Sequence, residues 1–162
     1  MWNDVVSPEG DQVFDAALER IPSATLALDV GTGTGRGVRM ISSRFPGAEV
    51  TGIDVAPSMI EEARKLVPGA SFEVADAAHL PFEDGSFDLV THANMIPFLS
   101  EVARVLRPGG WTLFAWSGGA GTPIYVPPER MQRELERRGF TDFAEIAAGR
   151  GTAVLARRAE PH

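Results

Sequence analysis

The sequence predicts an α/β domain, a single doubly wound and mostly parallel sheet with helices on both faces. Three observations predict it. Short apolar runs alternate with segments whose apolar residues recur at helical spacing, and that alternation implies parallel strands joined by right-handed crossovers. The first apolar run ends in an acid, Asp29, and then Gly31, Gly33 and Gly35 at alternate positions, with helix-like sequence directly behind them. The last two strand-like runs are separated only by residues 148–151, a gap that admits an antiparallel hairpin and no parallel crossover.

The elements follow in order. Residues 11–21 read as a helix, with Val13, Phe14, Ala17, Leu18 and Ile21 on one face and Ser7-Pro8 as N-cap and first-turn proline. Residues 25–30 form the first strand, apolar without alternation, as expected of a strand buried on both faces. The helix behind the glycine run stops at Pro46-Gly47. Residues 49–54 form the second strand, which ends in Asp54. Ala56-Pro57-Ser58 opens a helix in which Met59, Ile60, Ala63, Leu66 and Val67 share a face, and Pro68-Gly69 closes it. Residues 71–75 are the third strand, followed by Asp76. Residues 87–93 are the fourth, introduced by Glu83-Asp84-Gly85-Ser86. A helix over 99–106 closes at Arg107-Pro108-Gly109-Gly110, and 111–116 is the fifth strand. Residues 129–138 form the last helix, with Gly139 as C-cap, and 143–147 and 152–157 form the hairpin. No repeat or linker divides the chain, so residues 1–162 read as one domain with an N-terminal helical segment over 1–24.

Composition excludes several function classes. Formal net charge is −7 and hydrophobic residues make up 44% of the chain. A nucleic-acid binder needs a basic footprint to exchange for counterions. The cluster Arg133, Arg137 and Arg138 is interleaved with Glu134 and Glu136 and reads as a solvated helix face. No apolar run spans a bilayer, and Met1-Trp2-Asn3-Asp4 does not open a signal peptide. Cysteine is absent, which removes disulfides, thiolate metal sites and cysteine nucleophiles. The expected setting is the cytoplasm, with no membrane partner. No spacing of histidines and acids suggests a metal site.

In an open parallel sheet the ligand lies beyond the carboxyl ends of the strands, near the switch point. Asp29, Asp54 and Asp76 all stand at such ends. A single acid there is more often a turn-former than a ligand. Three in this register, behind a glycine loop facing a helix N-terminus, point to a nucleoside site. Asp54 suits the cis-diol of a ribose, and Asp76, one strand further out, suits an adenine amino group.

These residues carry a resemblance to the class I S-adenosylmethionine-dependent methyltransferases of the small-molecule type. LDVGTGTG from Leu28 resembles the family's first motif, GIDVAPSMIEEAR from Gly52 its second, VADAAHLPFEDGSFDLV from Val74 its third and fourth segments, and EVARVLRPGG from Glu101 the helix and turn before the fifth strand. The resemblance implies a seven-stranded sheet in the order 3-2-1-4-5-7-6, with strand 7 antiparallel. It implies that Gly31, Thr32 and Gly33 approach the methionine part of S-adenosylmethionine through backbone, that Gly35 also belongs to the cofactor site, and that Asp29 holds the amino group, directly or through water. By the same resemblance Asp54 takes the ribose, Val55 and Met59 flank the adenine, and Asp76 with Ala77 reads its amino edge. The resemblance also implies that Thr91, His92 and Ala93 face the methionine end and the substrate.

Methyl transfer from a sulfonium needs mostly positioning, and only a hydroxyl acceptor needs a base. His92, at the end of the fourth strand, is the candidate base, set against the reading that its side chain only packs. His79 and His162 are read as surface and terminal residues. Asn94 and Tyr125 are candidate acceptor contacts. Residues 117–128 are read as a lid or as a plain connection, and Phe82, Phe87, Phe98 and Trp111 as core. The segment between the fourth strand and the next helix is short for the family, as is the region before Asp29. The expected partner is a small-molecule acceptor, with a second copy of the chain as a candidate to complete its pocket. Two rival readings remain. One is a cofactor-binding partner without catalysis. The other is a nicotinamide-dinucleotide domain, against which Arg36 stands where that fingerprint has glycine.

Overall fold

The computed structural model describes residues 8–121 and 124–160. Five helices and seven strands are seen among them: α1 (Pro8–Glu19), β1 (Leu26–Val30), α2 (Arg36–Arg44), β2 (Glu49–Asp54), α3 (Pro57–Leu66), β3 (Ser71–Val74), β4 (Phe87–Ala93), α4 (Leu99–Val105), β5 (Leu106–Trp116), α5 (Pro128–Glu136), β6 (Phe140–Ala148) and β7 (Gly151–Arg158). The strands form one sheet in the order β3-β2-β1-β4-β5-β7-β6. β7 runs antiparallel to both of its neighbours and the other pairs are parallel. This is the order and orientation that the family resemblance implies.

Both faces of the sheet are covered, so its central strands bury apolar residues on both sides. Ala27, Leu89, Leu113 and Leu155 point to one face, where Val13, Phe14, Ala17 and Leu18 of α1, Val38 and Ile41 of α2, and Ile60 and Ala63 of α3 pack. Leu28, Val30, Val90, Phe114 and Val154 point to the other, against Val102 and Val105 of α4 and Met131 and Leu135 of α5. The period-two alternation of a strand sorts neighbouring residues between these two cores.

Several boundaries differ from the sequence expectation. α1 begins at Pro8 and stops at Glu19, yet the expected face, Val13 to Ile21, is buried; Ser7 lies outside the described residues. β5 starts at Leu106, because the backbone extends directly after α4 and Leu106 pairs with Phe87. β6 begins at Phe140 and carries an irregularity between Thr141 and Ala144, where Asp142 is left-handed at φ 53°. On α3, Ile60 and Ala63 are buried while Met59 and Leu66 are exposed. At 100° per residue those two fall on one flank of the apolar face, turned away from the sheet. Phe98 is 38% exposed and so is not core, unlike Phe87.

One side chain braces the long loop between β3 and β4. Arg104 of α4 donates to the carbonyls of Phe82 (2.7 Å) and Leu80 (3.0 Å), to Asp84 (3.0 Å) and to Glu101 (2.7 Å). Glu101 in turn accepts the Leu80 N–H at 2.8 Å. The Arg104 hydrogen bonds hold the Glu101 carboxyl below the usual carboxylate range. Arg104→Met is expected to lower unfolding stability by about 2–3 kcal/mol, since hydrogen bonds to charged groups contribute about 1.5–3 kcal/mol and two carbonyls lose their donor. Urea denaturation measures this, and an unchanged midpoint would remove Arg104 from the account of loop order.

Candidate functional site

The glycine loop leaves β1 and enters α2, and its three glycines share one conformation. Gly31, Gly33 and Gly35 all have positive φ, at 71°, 55° and 92°. Alternate left-handed residues fold the chain into a tight turn that side chains with a Cβ rarely follow. The loop is tied to β2 by Thr32 N–H, which donates to Ile53 O at 2.8 Å.

Asp54 finishes the tie. Its Oδ2 accepts the Gly33 N–H at 2.9 Å and its Oδ1 accepts the Ala56 N–H at 3.0 Å. A carboxylate has about four acceptor positions. Each oxygen of Asp54 therefore keeps one free, a pair suited to the two hydroxyls of a ribose. Above Gly33 a Cβ would meet nothing within 4 Å, so the loop is open there. Val55 (66% exposed) and Met59 (44%) present apolar surface beside it. Asp76 lies one strand out: Ala75 N–H donates to Asp54 O at 3.0 Å, and Asp76 Oδ1 caps its own turn through Ala78 N–H at 2.9 Å. Ala77, the next residue, is buried in the α4–α5 core.

Asp29 is a different kind of acid. It is 3% exposed, with Thr91 opposite it on β4 and Gly52 opposite on β2. Thr91 Oγ1 donates to Oδ1 at 2.6 Å and Thr32 Oγ1 to Oδ2 at 2.8 Å. Gly37 of α2 lies so close that a Cβ there would stand 2.6 Å from Oδ2. Burial pushes the Asp29 carboxyl up to about 6; the Thr91 and Thr32 hydrogen bonds pull against this, and the Asp54 charge adds to it.

The candidate base sits inside the sheet. His92 is 2% exposed and faces the α4–α5 core, stacked on Phe114 with ring centroids 4.2 Å apart. Its Nδ1 contacts Leu113 O at 3.2 Å. A carbonyl there requires Nδ1–H, which leaves Nε2 as the basic nitrogen. Burial lowers the ring to about 4, so it is neutral and weakly basic near pH 7. Thr91 is also buried, and its hydroxyl is engaged by Asp29. Of the three residues at this strand end, only Ala93 is exposed.

Asn94 proves to be a clamp. It is left-handed at φ 56°, its N–H donates to Ala115 O at 2.8 Å, and its Oδ1 accepts the Ser117 N–H at 3.0 Å. Its Nδ2 donates to Ser117 Oγ at 3.1 Å. The amide is thus bonded across the ends of β4 and β5. Tyr125 sets its ring edge-on to Trp116, with centroids 5.5 Å apart. The structure accordingly brings Asp29, Thr32, Gly33, Asp54 and Thr91 into one bonded unit, with Asp76, Val55 and Met59 along the same rim.

Met95 is the neighbour that sequence reasoning missed. A Cβ on Gly31 would lie 2.2 Å from its Sδ. No motif marks Met95; its place follows from the left-handed Asn94 before it.

Comparison with known proteins gives a consistent picture. A family model described as a methyltransferase domain matches residues 27–110. A demethylmenaquinone methyltransferase from Thermus thermophilus is 46% identical over 110 residues, 61% of this chain and 49% of its own length. A trans-aconitate 2-methyltransferase from Methylobacterium nodulans is 39% identical over 104 residues, 57% of this chain and 39% of its own. In fold, an S-adenosylmethionine-dependent methyltransferase from Aquifex aeolicus superposes with a TM-score of 0.78, at 19% identity, over 97% of this chain and 96% of that one. The chain spans about half the length, or less, of the curated relatives it matches.

Proposed function

Because the chain belongs to the class I S-adenosylmethionine-dependent methyltransferases, we propose that it binds S-adenosylmethionine across the glycine loop and passes the methyl group to a small-molecule acceptor. One observation carries the reading. Asp54 is anchored by two backbone N–H groups and keeps two acceptor positions, beside a loop that is open above Gly33. Bound there, the cofactor would supply an electrophilic methyl group on a sulfonium.

The residues divide the work. Asp54 holds the ribose hydroxyls, Val55 and Met59 cover the adenine, and Asp76 with the Ala77 backbone meets its amino edge. Asp29, buried and aligned by Thr32 and Thr91, supplies the negative charge for the cofactor's amino group. His92 supports the strand end by packing, and in this reading positioning supplies most of the acceleration, about 7–11 kcal/mol for well-oriented reactants. The acceptor lies on the side of Asn94 and Tyr125. The relatives named above include enzymes for a quinone and for a tricarboxylic acid. Their names give different acceptors, while the family model matches this chain over residues 27–110, which hold the glycine loop, Asp54 and Asp76.

Only residues 94–98 separate β4 from α4. That brevity favours a second reading, in which a further copy or partner completes the acceptor side. A cytoplasmic setting belongs to the same proposal, on the strength of the cysteine-free composition.

Calorimetry tests the proposal. S-adenosylmethionine and S-adenosylhomocysteine are expected to bind at micromolar strength or better, about −8 kcal/mol, and NAD is expected to give no heat. Heat with NAD and none with either sulfur nucleoside would overturn it.

A further inference from the structure

The glycine loop is covered at one end and open at the other. A Cβ on Gly31 would stand 2.2 Å from Met95 Sδ, 2.4 Å from its Cγ and 2.9 Å from its Cε. Three consecutive atoms of one side chain therefore lie flat against Gly31. The same construction at Gly33 meets nothing within 4 Å. Asp54 is bonded to Gly33, at the open end.

The backbone that delivers Met95 is fixed. Asn94 is left-handed and bonded to Ala115 and Ser117. The Met95 side chain is half-buried against the α4–α5 core by apolar contact alone. An unbranched thioether with three rotatable bonds can leave such a place without disturbing the chain around it.

We propose that Met95 is a specificity-determining cover over the Gly31 end of the loop. A nucleoside reaches Asp54 without touching it, and only a ligand that carries an amino-acid chain along the loop must displace it. The proposal rests on the reading of the loop as a sulfur-nucleoside site. Its consequence is a selective penalty. Apparent affinity falls by the fraction of molecules in which the site is competent. Here that fraction applies to S-adenosylhomocysteine and not to methylthioadenosine, which lacks the amino-acid chain.

Titration of wild type and Met95→Ala with both compounds tests this. The expected result is a fall of about fivefold or more in Kd for S-adenosylhomocysteine, with methylthioadenosine unchanged to within about twofold. Weaker binding of S-adenosylhomocysteine would make Met95 a contact rather than a cover. That result, no change, or equal changes for both compounds would overturn the proposal.

A second measurement needs no alanine variant. The chain has five methionines, so methyl-labelled methionine gives a short spectrum, and Met95→Leu assigns the Met95 signal by its loss. S-adenosylhomocysteine is expected to move the Met95 and Met59 signals, and methylthioadenosine only that of Met59. A Met95 signal that follows both ligands, or neither, would overturn the cover while Met59 still reports cofactor binding. If neither ligand gives heat or moves any methionine, the cofactor reading fails and the cover falls with it.

Discussion

Asp54→Ala is expected to weaken S-adenosylhomocysteine binding by about 3 kcal/mol, roughly a hundredfold or more, because hydrogen bonds to a charged group contribute about 1.5–3 kcal/mol each and are not additive. Two effects act in the same direction. The ribose loses its two acceptors. The Gly33 and Ala56 N–H groups also lose theirs, at 2.9 and 3.0 Å, so the loop that cradles the rest of the ligand loosens. The second effect has its own readout. Unfolding stability without ligand is expected to fall by about 1–3 kcal/mol, the penalty for leaving backbone donors without a partner. Asp54→Asn separates the two contributions only in part, since its amide nitrogen turns a donor toward one of those N–H groups. Calorimetry and urea denaturation on the same variants measure both. Unchanged affinity in the alanine variant would refute the ribose assignment. Lost affinity with unchanged stability would show that loop order does not depend on Asp54.

The fold was legible for a local reason. Pro-Gly at 46–47 and at 68–69 follows the ends of α2 and α3, and the short runs behind those breaks are β2 and β3, whereas the third Pro-Gly, at 108–109, lies inside β5. The antiparallel β6–β7 pair follows from the four residues at 148–151. What the sequence hid depends on pairings between distant residues. Thr91 donates to Asp29 from 62 positions away, and only the β1–β4 register places them side by side. His92 illustrates the same limit. Its position at a strand end is visible in the sequence. The direction of its ring is not, because Thr91 and His92 point to opposite faces and both faces are covered. Asn94 and Met95 were hidden by conformation. One left-handed residue turns an amide that looked free for a substrate into a bridge to Ser117 and lays the next side chain on Gly31.

Asp29→Asn is expected to make the protein more stable near neutral pH and a poorer cofactor binder. The sign comes from linkage. Burial raises the folded carboxyl to about 6 from 3.8. Below about pH 4 both folded and unfolded states carry the proton, and the contribution of Asp29 to stability is fully present. As pH rises from about 4 to 6 the unfolded chain ionises first, and that contribution is lost. A difference of about two pK units corresponds to about 3 kcal/mol above pH 7. The residue is 3% exposed, so solvent does not screen the effect appreciably. Other carboxylates change stability in the same pH range, which makes the difference between wild type and Asp29→Asn the informative quantity. That difference is expected to be near zero at pH 4 and to favour asparagine by up to about 3 kcal/mol at pH 7.5, less about 1 kcal/mol where the Thr32 or Thr91 hydroxyl must turn to accept from the new amide. Parallel stability profiles for the two proteins from pH 4 to 7.5 would refute the raised carboxyl. Retaining such a charge makes physical sense only where something cationic meets it. The proposed amino group of S-adenosylmethionine is that cation, so the stabilised variant is expected to lose about tenfold or more in affinity, the loss of one charge-assisted bond. Full affinity in Asp29→Asn would assign the buried acid to the fold alone.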